Sequence, residues 1–210
     1  MNCIIIGAGG HARVVLENLR GRRGLKILGF TDSNKDLWKR TISGIKILGS
    51  DDRLAAWRPG SVRLINGLGA AADTRPRSLV FAALKKKGHA FLTVTGPTAV
   101  VPADWDAGEG AQILTRAVIH PGTRIGADAV VNTAAVVEHD CVIEDHAFIV
   151  PGTVLCGEVT IGAGAFVGAG AVLLPGVRVG ADAVVGAGSV VIRDLGPGTR
   201  SAGNPARGIQ

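Results

Sequence analysis

The chain has 210 residues, 47% hydrophobic and 19% charged, with a formal net charge of +6; these are the proportions of a soluble globular protein and exclude a disordered or collagen-like chain. Thirty-one glycines stand against three Trp, five Phe and no Tyr, so the core has to be built from Val, Ile, Leu and Ala in layers of small repeated units. Residues 1–95 carry 17 Lys and Arg against 6 Asp and Glu, whereas residues 96–210 carry 6 against 11. The basic N-terminal part suits an anionic ligand such as a nucleotide diphosphate, and the lack of aromatic residues among the basic ones excludes a nucleic-acid surface.

The chain starts MNCIIIGAGG. Its apolar run stops at Gly7, too short for a secretory signal or a membrane span, which predicts a cytoplasmic protein. Cys3, Cys141 and Cys156 form no CxxC pair, so neither a disulfide framework nor a zinc site is expected. NCIIIGAGGHARVVLENLR reads as strand, glycine turn and helix, with Val14, Val15 and Leu19 at helical spacing. LKILGFTD is a second strand ending at Asp32 and SVRLING a third ending near Gly67; SDDRLAAW and TRPRSLVFAALKKKG read as helices, with Ser50 and Asp73 or Thr74 as candidate N-caps. Strands alternating with helices imply a small Rossmann-like parallel sheet. With Gly7 as the first glycine, the sixth position of a GxGxxG motif is Ala12, so the turn is either a tight bend or a phosphate cradle. His11 and Asp32 fall at the C-terminal edge of that sheet, where such sheets bind ligands, although Asp32 also fits a helix cap.

From Val101 onward every sixth residue is aliphatic, through Ile113, Val131, Ile149 and Val167 to Val191. Four residues after the anchors from Ile113 to Val185 come small or β-branched residues such as Ala117, Ala135, Cys141 and Ala171. A period of six fits neither a helix face nor a plain alternating strand; it marks a parallel β-helix of hexapeptide repeats, with three hexads to a coil and 18 residues between stacked positions. Residues 101–190 would make five coils without a protruding loop, and the Gly- and Pro-rich tail from Arg193 would close or leave the last. The fold class is therefore α/β plus β-solenoid, with a sheet domain over residues 1–95 and the β-helix over residues 96–210.

Within the repeat, VVEHDCVIED places three polar residues together. His139 is the third residue of its hexad, at a corner, and should point outward in a column with Pro121, Gly157 and Pro175. Asp140 follows it directly. A histidine held by a carboxylate can serve as general base, and the backbone N–H of Gly157, one coil on and about 5 Å away, is a candidate oxyanion donor. Cys141, fifth in its hexad, should be a packing residue rather than a nucleophile.

The motifs IIGAGGHARVV, FTDS, LINGLG, EHDC and GNPARGI together resemble one branch of the hexapeptide acyltransferases, the bacterial nucleotide-sugar N-acetyltransferases and the related sialic acid O-acetyltransferases. The resemblance spans the whole chain and implies a left-handed β-helix. It also implies acetyl-CoA as co-substrate, no metal, and a homotrimer with sites between subunits. By it, Gly9, Gly10, His11, Asp32 and Gly69 bind a nucleotide-linked 4-amino-deoxy sugar, His139 is the base, Asp140 raises its basicity and Gly157 polarises the thioester carbonyl. A second histidine that the family often places to contact the acyl-CoA is Phe148 here, and Ala169 and Ala187 fall where backbone contacts the pantetheine and adenine. The implied reaction is direct transfer without an acyl-enzyme. Sialic acid O-acetylation is the alternative that uses the same base. A metal-dependent hydratase like the gamma-class carbonic anhydrases fits poorly, because His120, His139 and His146 occupy different hexad positions and diverge, and a non-enzymatic scaffold would not explain His139 beside Asp140.

Overall fold

The computed structural model describes residues 1–105 and 107–209. Its N-terminal part begins with strand β1 (Asn2–Ile6), whose four Cys and Ile side chains are buried, followed by helix α1 (Gly10–Leu19). Next come β2 (Lys26–Thr31), β3 (Thr41–Ile42), β4 (Ile45–Gly49), β5 (Arg63–Asn66), α2 (Arg75–Lys86) and β6 (Ala90–Phe91). The sheet order is β3-β4-β2-β1-β5-β6, parallel apart from the β3–β4 hairpin. The central β1 has β2 on one side and β5 on the other, so a crevice opens between the loops that leave β1 and β5.

Three local readings of the sequence change. SDDRLAAW forms only a short 3₁₀ turn (Asp51–Ala56), because two acidic residues and a single buried side chain, Leu54, give a longer helix no apolar face to dock. Neither Ser50 nor Thr74 caps a helix through its side chain. The Ser50 hydroxyl turns to Asp52 and that of Thr74 donates to the Gly164 carbonyl of the β-helix. The hairpin TISGIKI was not foreseen as a strand pair; its turn places Ser43 and Gly44 at φ of 50° and 78°.

The second part is a three-sided parallel prism. One face runs from Val94–Thr95 through Gln112–Ile113, Val130–Val131 and Phe148–Ile149 to Arg200–Ala202. A second runs from Val118–Ile119 to Val190–Val191 and a third from Arg124–Ile125 to Arg178–Val179. Partners are 18 residues apart, as in Val136 with Val118 and Val154, until the last coil, where Val184 pairs with Arg200 and Val179 with Leu195, 16 residues on. The prism starts one strand before Val101, and the tail closes it: Arg207–Gly208 pairs antiparallel with Arg200–Ala202, and Ala206 enters the core. Inside, the aliphatic anchors and the small residues four places on are buried together, Ile113, Ala117, Val137 and Cys141 among them, each at 0% exposure.

Every sixth residue from Gly110 to Gly188 has positive φ, including Asp128 at 55°, Asp140 at 58° and His146 at 61°. That left-handed corner favours Gly and Asp, which is why Gly122, Asp140 and Gly176 share a column. The position just before it makes no backbone hydrogen bond through its N–H, so it tolerates Pro121, Pro151 and Pro175. His139 and Gly157 occupy that same position. The N-terminal part docks on the first face, where Phe148 and Val130 join the cluster of Ile5, Val15 and Phe30.

Candidate functional site

His139 and Asp140 are exposed at the corner between the second and third faces. The His139 Nδ1 lies 2.9 Å from Asp140 Oδ2. This hydrogen bond is the main cause of a raised His139 pKa, helped by the charges of Asp140, Glu138 and Glu158. With Nδ1 turned to the carboxylate, Nε2 is the atom free to accept a proton. The coils above and below make room for the pair. A Cβ on Gly157 would stand 2.5 Å from His139 Nε2, and one on Gly122 would stand 2.1 Å from Asp140 Oδ1. Gly157→Ala is therefore predicted to push the imidazole aside and lower kcat at least tenfold, a loss readable by steady-state kinetics beside an unchanged melting curve.

The N–H of Gly157 has no partner among the described residues, and neither do those of Ala169 and Ala187. All three occupy the same place in their hexads. Gly157 is thus an unpaired backbone donor in the coil next to the imidazole. Ala169 and Ala187 are exposed at the corner between the first and second faces, so one chain does not gather them around His139; a ligand touching both corners spans the second face or a boundary between subunits. Cys141 is buried, its thiol donating to the Cys156 carbonyl at 3.2 Å, and burial pushes its pKa up to about 11. It packs the core, as the repeat implies. Each of the three corner histidines faces its own carboxylate: His120 Glu138, His139 Asp140 and His146 Asp128. Among the described residues no three His, Cys, Asp or Glu side chains converge on a point.

The expected acyl-CoA contact of Phe148 is not met. Its side chain projects from the first face beneath the N-terminal part, 3% exposed, with ring centroids of His11 at 5.6 Å and Phe166 at 6.1 Å. An aromatic ring at that place serves docking, where burying it is worth roughly 2–3 kcal/mol.

A second group of residues surrounds the crevice at the C-terminal edge of the sheet. Gly7 takes the left-handed conformation (φ 87°) and its N–H donates to the Thr31 carbonyl at 2.7 Å. Asp32 spends both oxygens on the main chain, accepting from the Ala8 N–H and the Asn34 N–H at 2.8 Å each. It thereby holds the glycine turn in shape. Gly9 and Gly10 are exposed, and a Cβ on either would meet no protein atom, so the fold itself does not demand glycine there. Gly9 caps α1 without a side-chain hydrogen bond, which leaves the first-turn N–H groups open to an anion. Gly69 lies against His11, its would-be Cβ 3.2 Å from that of the histidine. Arg13 and Arg40, with Ala8, Leu37 and Ile42, line an adjoining cleft of about 350 Å³; neither guanidinium has an ion-pair partner among the described residues. No motif in the sequence marks these two arginines, whose only signal is the basic bias of residues 1–95.

Behind the crevice lies a buried polar network that ties the two parts of the chain together. Arg77 and Asp128 form an ion pair at 2.8 Å with both side chains at 0% exposure. Asn66 Nδ2 donates to Asp128, Gln112 Nε2 donates to the Asn66 carbonyl, and Gln112 Oε1 meets His11 Nε2 at 2.8 Å. Burial and the Arg77 charge hold the His11 pKa down to about 4, so the ring is neutral at physiological pH.

Fold and corner together define a hexapeptide-repeat transferase, and the comparisons with known proteins agree. Residues 2–81 match the PglD N-terminal domain and residues 158–193 the bacterial transferase hexapeptide (six repeats). No curated protein sequence matches the chain. Among solved structures, the chain is 34% identical to a perosamine N-acetyltransferase from Caulobacter crescentus over 100% of this chain and 97% of that one, with a TM-score of 0.91; that structure is of a histidine-to-asparagine variant with CoA and GDP-perosamine. It is 29% identical to the acetyltransferase domain of PglB from Neisseria gonorrhoeae, solved with acetyl coenzyme A, over 99% and 98% of the two chains, also with a TM-score of 0.91. The chain belongs to the hexapeptide acyltransferase family, in the branch that joins a PglD-type N-terminal domain to a left-handed β-helix. As a member of that family it is an acyltransferase.

Proposed function

We propose that the protein transfers acetyl from acetyl-CoA to the amine of a nucleotide-linked 4-amino-deoxy sugar, with His139 as general base. The observation that carries this reading is the His139–Asp140 pair with the N–H of Gly157, unpaired among the described residues, in the next coil beside it. In the implied reaction the sugar nitrogen attacks the thioester carbonyl, the C–S bond breaks, and coenzyme A leaves as the thiolate. His139 Nε2 takes the proton from nitrogen and passes it to that sulfur. The Gly157 N–H donates to the oxyanion that forms between the two events.

The nucleotide belongs at the crevice, where the open first turn of α1, Gly9 and Gly10 accept the diphosphate, His11 and Gly69 form the wall, and Arg13 and Arg40 extend the cationic surface. Asp32 acts by shaping the turn. Acetyl-CoA is held through backbone donors at Ala169 and Ala187.

The N-terminal part covers the first face, and His139 stands on the prism edge opposite it. A sugar anchored at His11 therefore reaches His139 of a neighbouring subunit. The second face supports such an assembly: its outward positions are Val118, Val136, Val154, Val172 and Val190, an apolar stripe that a second copy would cover. The reading is a homotrimer with sites between subunits. Among the described residues no helix is long and apolar enough to cross a membrane, and the proposed use of acetyl-CoA and a sugar nucleotide supports a reaction in the cytoplasm.

The test is thiol release from acetyl-CoA with GDP-, UDP- and dTDP-linked 4-amino sugars beside free and cytidylated sialic acids. Turnover of an amino sugar supports the proposal; turnover of sialic acids alone would replace it with O-acetylation. The raised pKa of His139 adds a pH signature. The base works only when neutral, so activity rises with pH through that raised value. Asp140→Asn removes the main cause of the rise and is predicted to move the acid limb of kcat/KM to lower pH and to reduce the plateau. A limb that stays in place would assign it to another group.

A further inference from the structure

We propose that Gln112, a β-helix residue with 0% exposure, is a positioning residue for the nucleotide-sugar site. By accepting the Nε2–H of His11 it fixes the imidazole in one tautomer and leaves the Nδ1 lone pair to accept a hydrogen bond from a substrate hydroxyl. The inference rests on the nucleotide-sugar reading above and adds to it the chemistry that His11 presents.

The orientation of the Gln112 amide is set from behind. Its Nε2 lies 2.6 Å from the Asn66 carbonyl, which can only accept; the reversed amide would oppose two oxygens. The Asn66 carbonyl is itself fixed by Arg77, whose NH1 donates to it at 3.0 Å. Gln112 Oε1 is therefore the atom that meets His11, and an acceptor there requires a proton on His11 Nε2. A doubly protonated ring is disfavoured by burial and by the one cation that acts on it, Arg77. Nδ1 is left bare. It has no protein partner among the described residues and is not fully enclosed, and His11 lies against Gly69 of the loop after β5, at the crevice. A bare imidazole nitrogen repels a phosphate oxygen and accepts from a hydroxyl. His11 then reads the ribose or hexose of the substrate, while the α1 N-terminus and the arginines meet the phosphates.

The decisive measurement is long-range ¹H–¹⁵N NMR of the native protein, labelled with ¹⁵N-histidine, at pH 7, with His11→Asn used to assign the signal. The expected result is a protonated Nε2 and a bare Nδ1 for His11; a proton on Nδ1, alone or with one on Nε2, overturns the proposal. Kinetics supply the second arm. Gln112→Met keeps the volume but not the hydrogen bonds, and should raise KM for the nucleotide sugar roughly fivefold, the size of one lost hydrogen bond, with KM for acetyl-CoA unchanged. An unchanged nucleotide-sugar KM, or an equal rise in both constants, counts against it. If the native protein acetylates no nucleotide sugar, the functional reading fails, and the tautomer is still read on protein without substrate.

Discussion

His139→Ala is expected to lower kcat by about 10²–10⁴-fold, the usual contribution of a positioned general base, while the melting temperature and acetyl-CoA binding stay as they are. The size follows from what the ring does and does not touch. It is exposed, so its loss opens no cavity, and its one side-chain hydrogen bond among the described residues is to Asp140, itself exposed at the same corner. Removing it therefore separates chemistry from folding more cleanly than most substitutions. The remaining rate would come from the Gly157 N–H and from bringing amine and thioester together. His139→Ala should thus fall below Gly157→Ala, which displaces the base without deleting it. Thiol release in single-turnover mode decides the matter: a variant that keeps full activity would mean that the amine reaches the thioester already neutral, and that the His139–Asp140 pair has some other purpose.

The β-helix and the exposed corner that carries His139 and Asp140 were legible in the sequence because a hexad repeats both the buried positions and the turn conformation. Once Val137 is known to point inward, His139 has to point outward, and nothing distant alters that. Residues whose roles depend on docking were not legible. Phe148 has the sequence context of an outward site residue, but its face is the one that the N-terminal part covers. Gln112 looks like any polar residue on a strand, and Arg77 like one more charge on a helix rich in them. Their burial comes from contacts across 46 and 51 residues of sequence, which no local period announces. Asp32 was placed correctly at the sheet edge, yet whether it binds a ligand or the backbone turned on where the Ala8 N–H pointed.

Asp128→Asn is predicted to destabilise the protein by about 3–5 kcal/mol, the cost of leaving a buried charge without its partner and a large share of a typical total of about 5–15 kcal/mol. Asparagine is the informative replacement for two reasons. Asp128 has φ of 55°, a conformation that asparagine accepts and alanine resists. Its amide can also keep an oxygen toward Arg77 and Asn66 while turning its nitrogen to His146 Nδ1, so the change removes charge and little else. Arg77 then keeps its hydrogen bonds to the carbonyls of Asn66 and Leu68 but loses the only anion that reaches it among the described residues. Adding Arg77→Met should recover part of the loss, because a neutral side chain no longer needs the anion, and the double-mutant cycle would show a coupling of about 1–3 kcal/mol. Urea denaturation measures both; a cost under about 1 kcal/mol for Asp128→Asn would mean that water or a shifted side chain reaches Arg77. Hydrogen exchange gives the location. The β-helix core is aliphatic and closed on itself, so exchange should quicken first in α2 and β5 and at the Gln112 strand, where the N-terminal part is bolted to the prism. A variant that loosens there should also bind the nucleotide sugar more weakly than acetyl-CoA, since His11 is held through the same chain of hydrogen bonds.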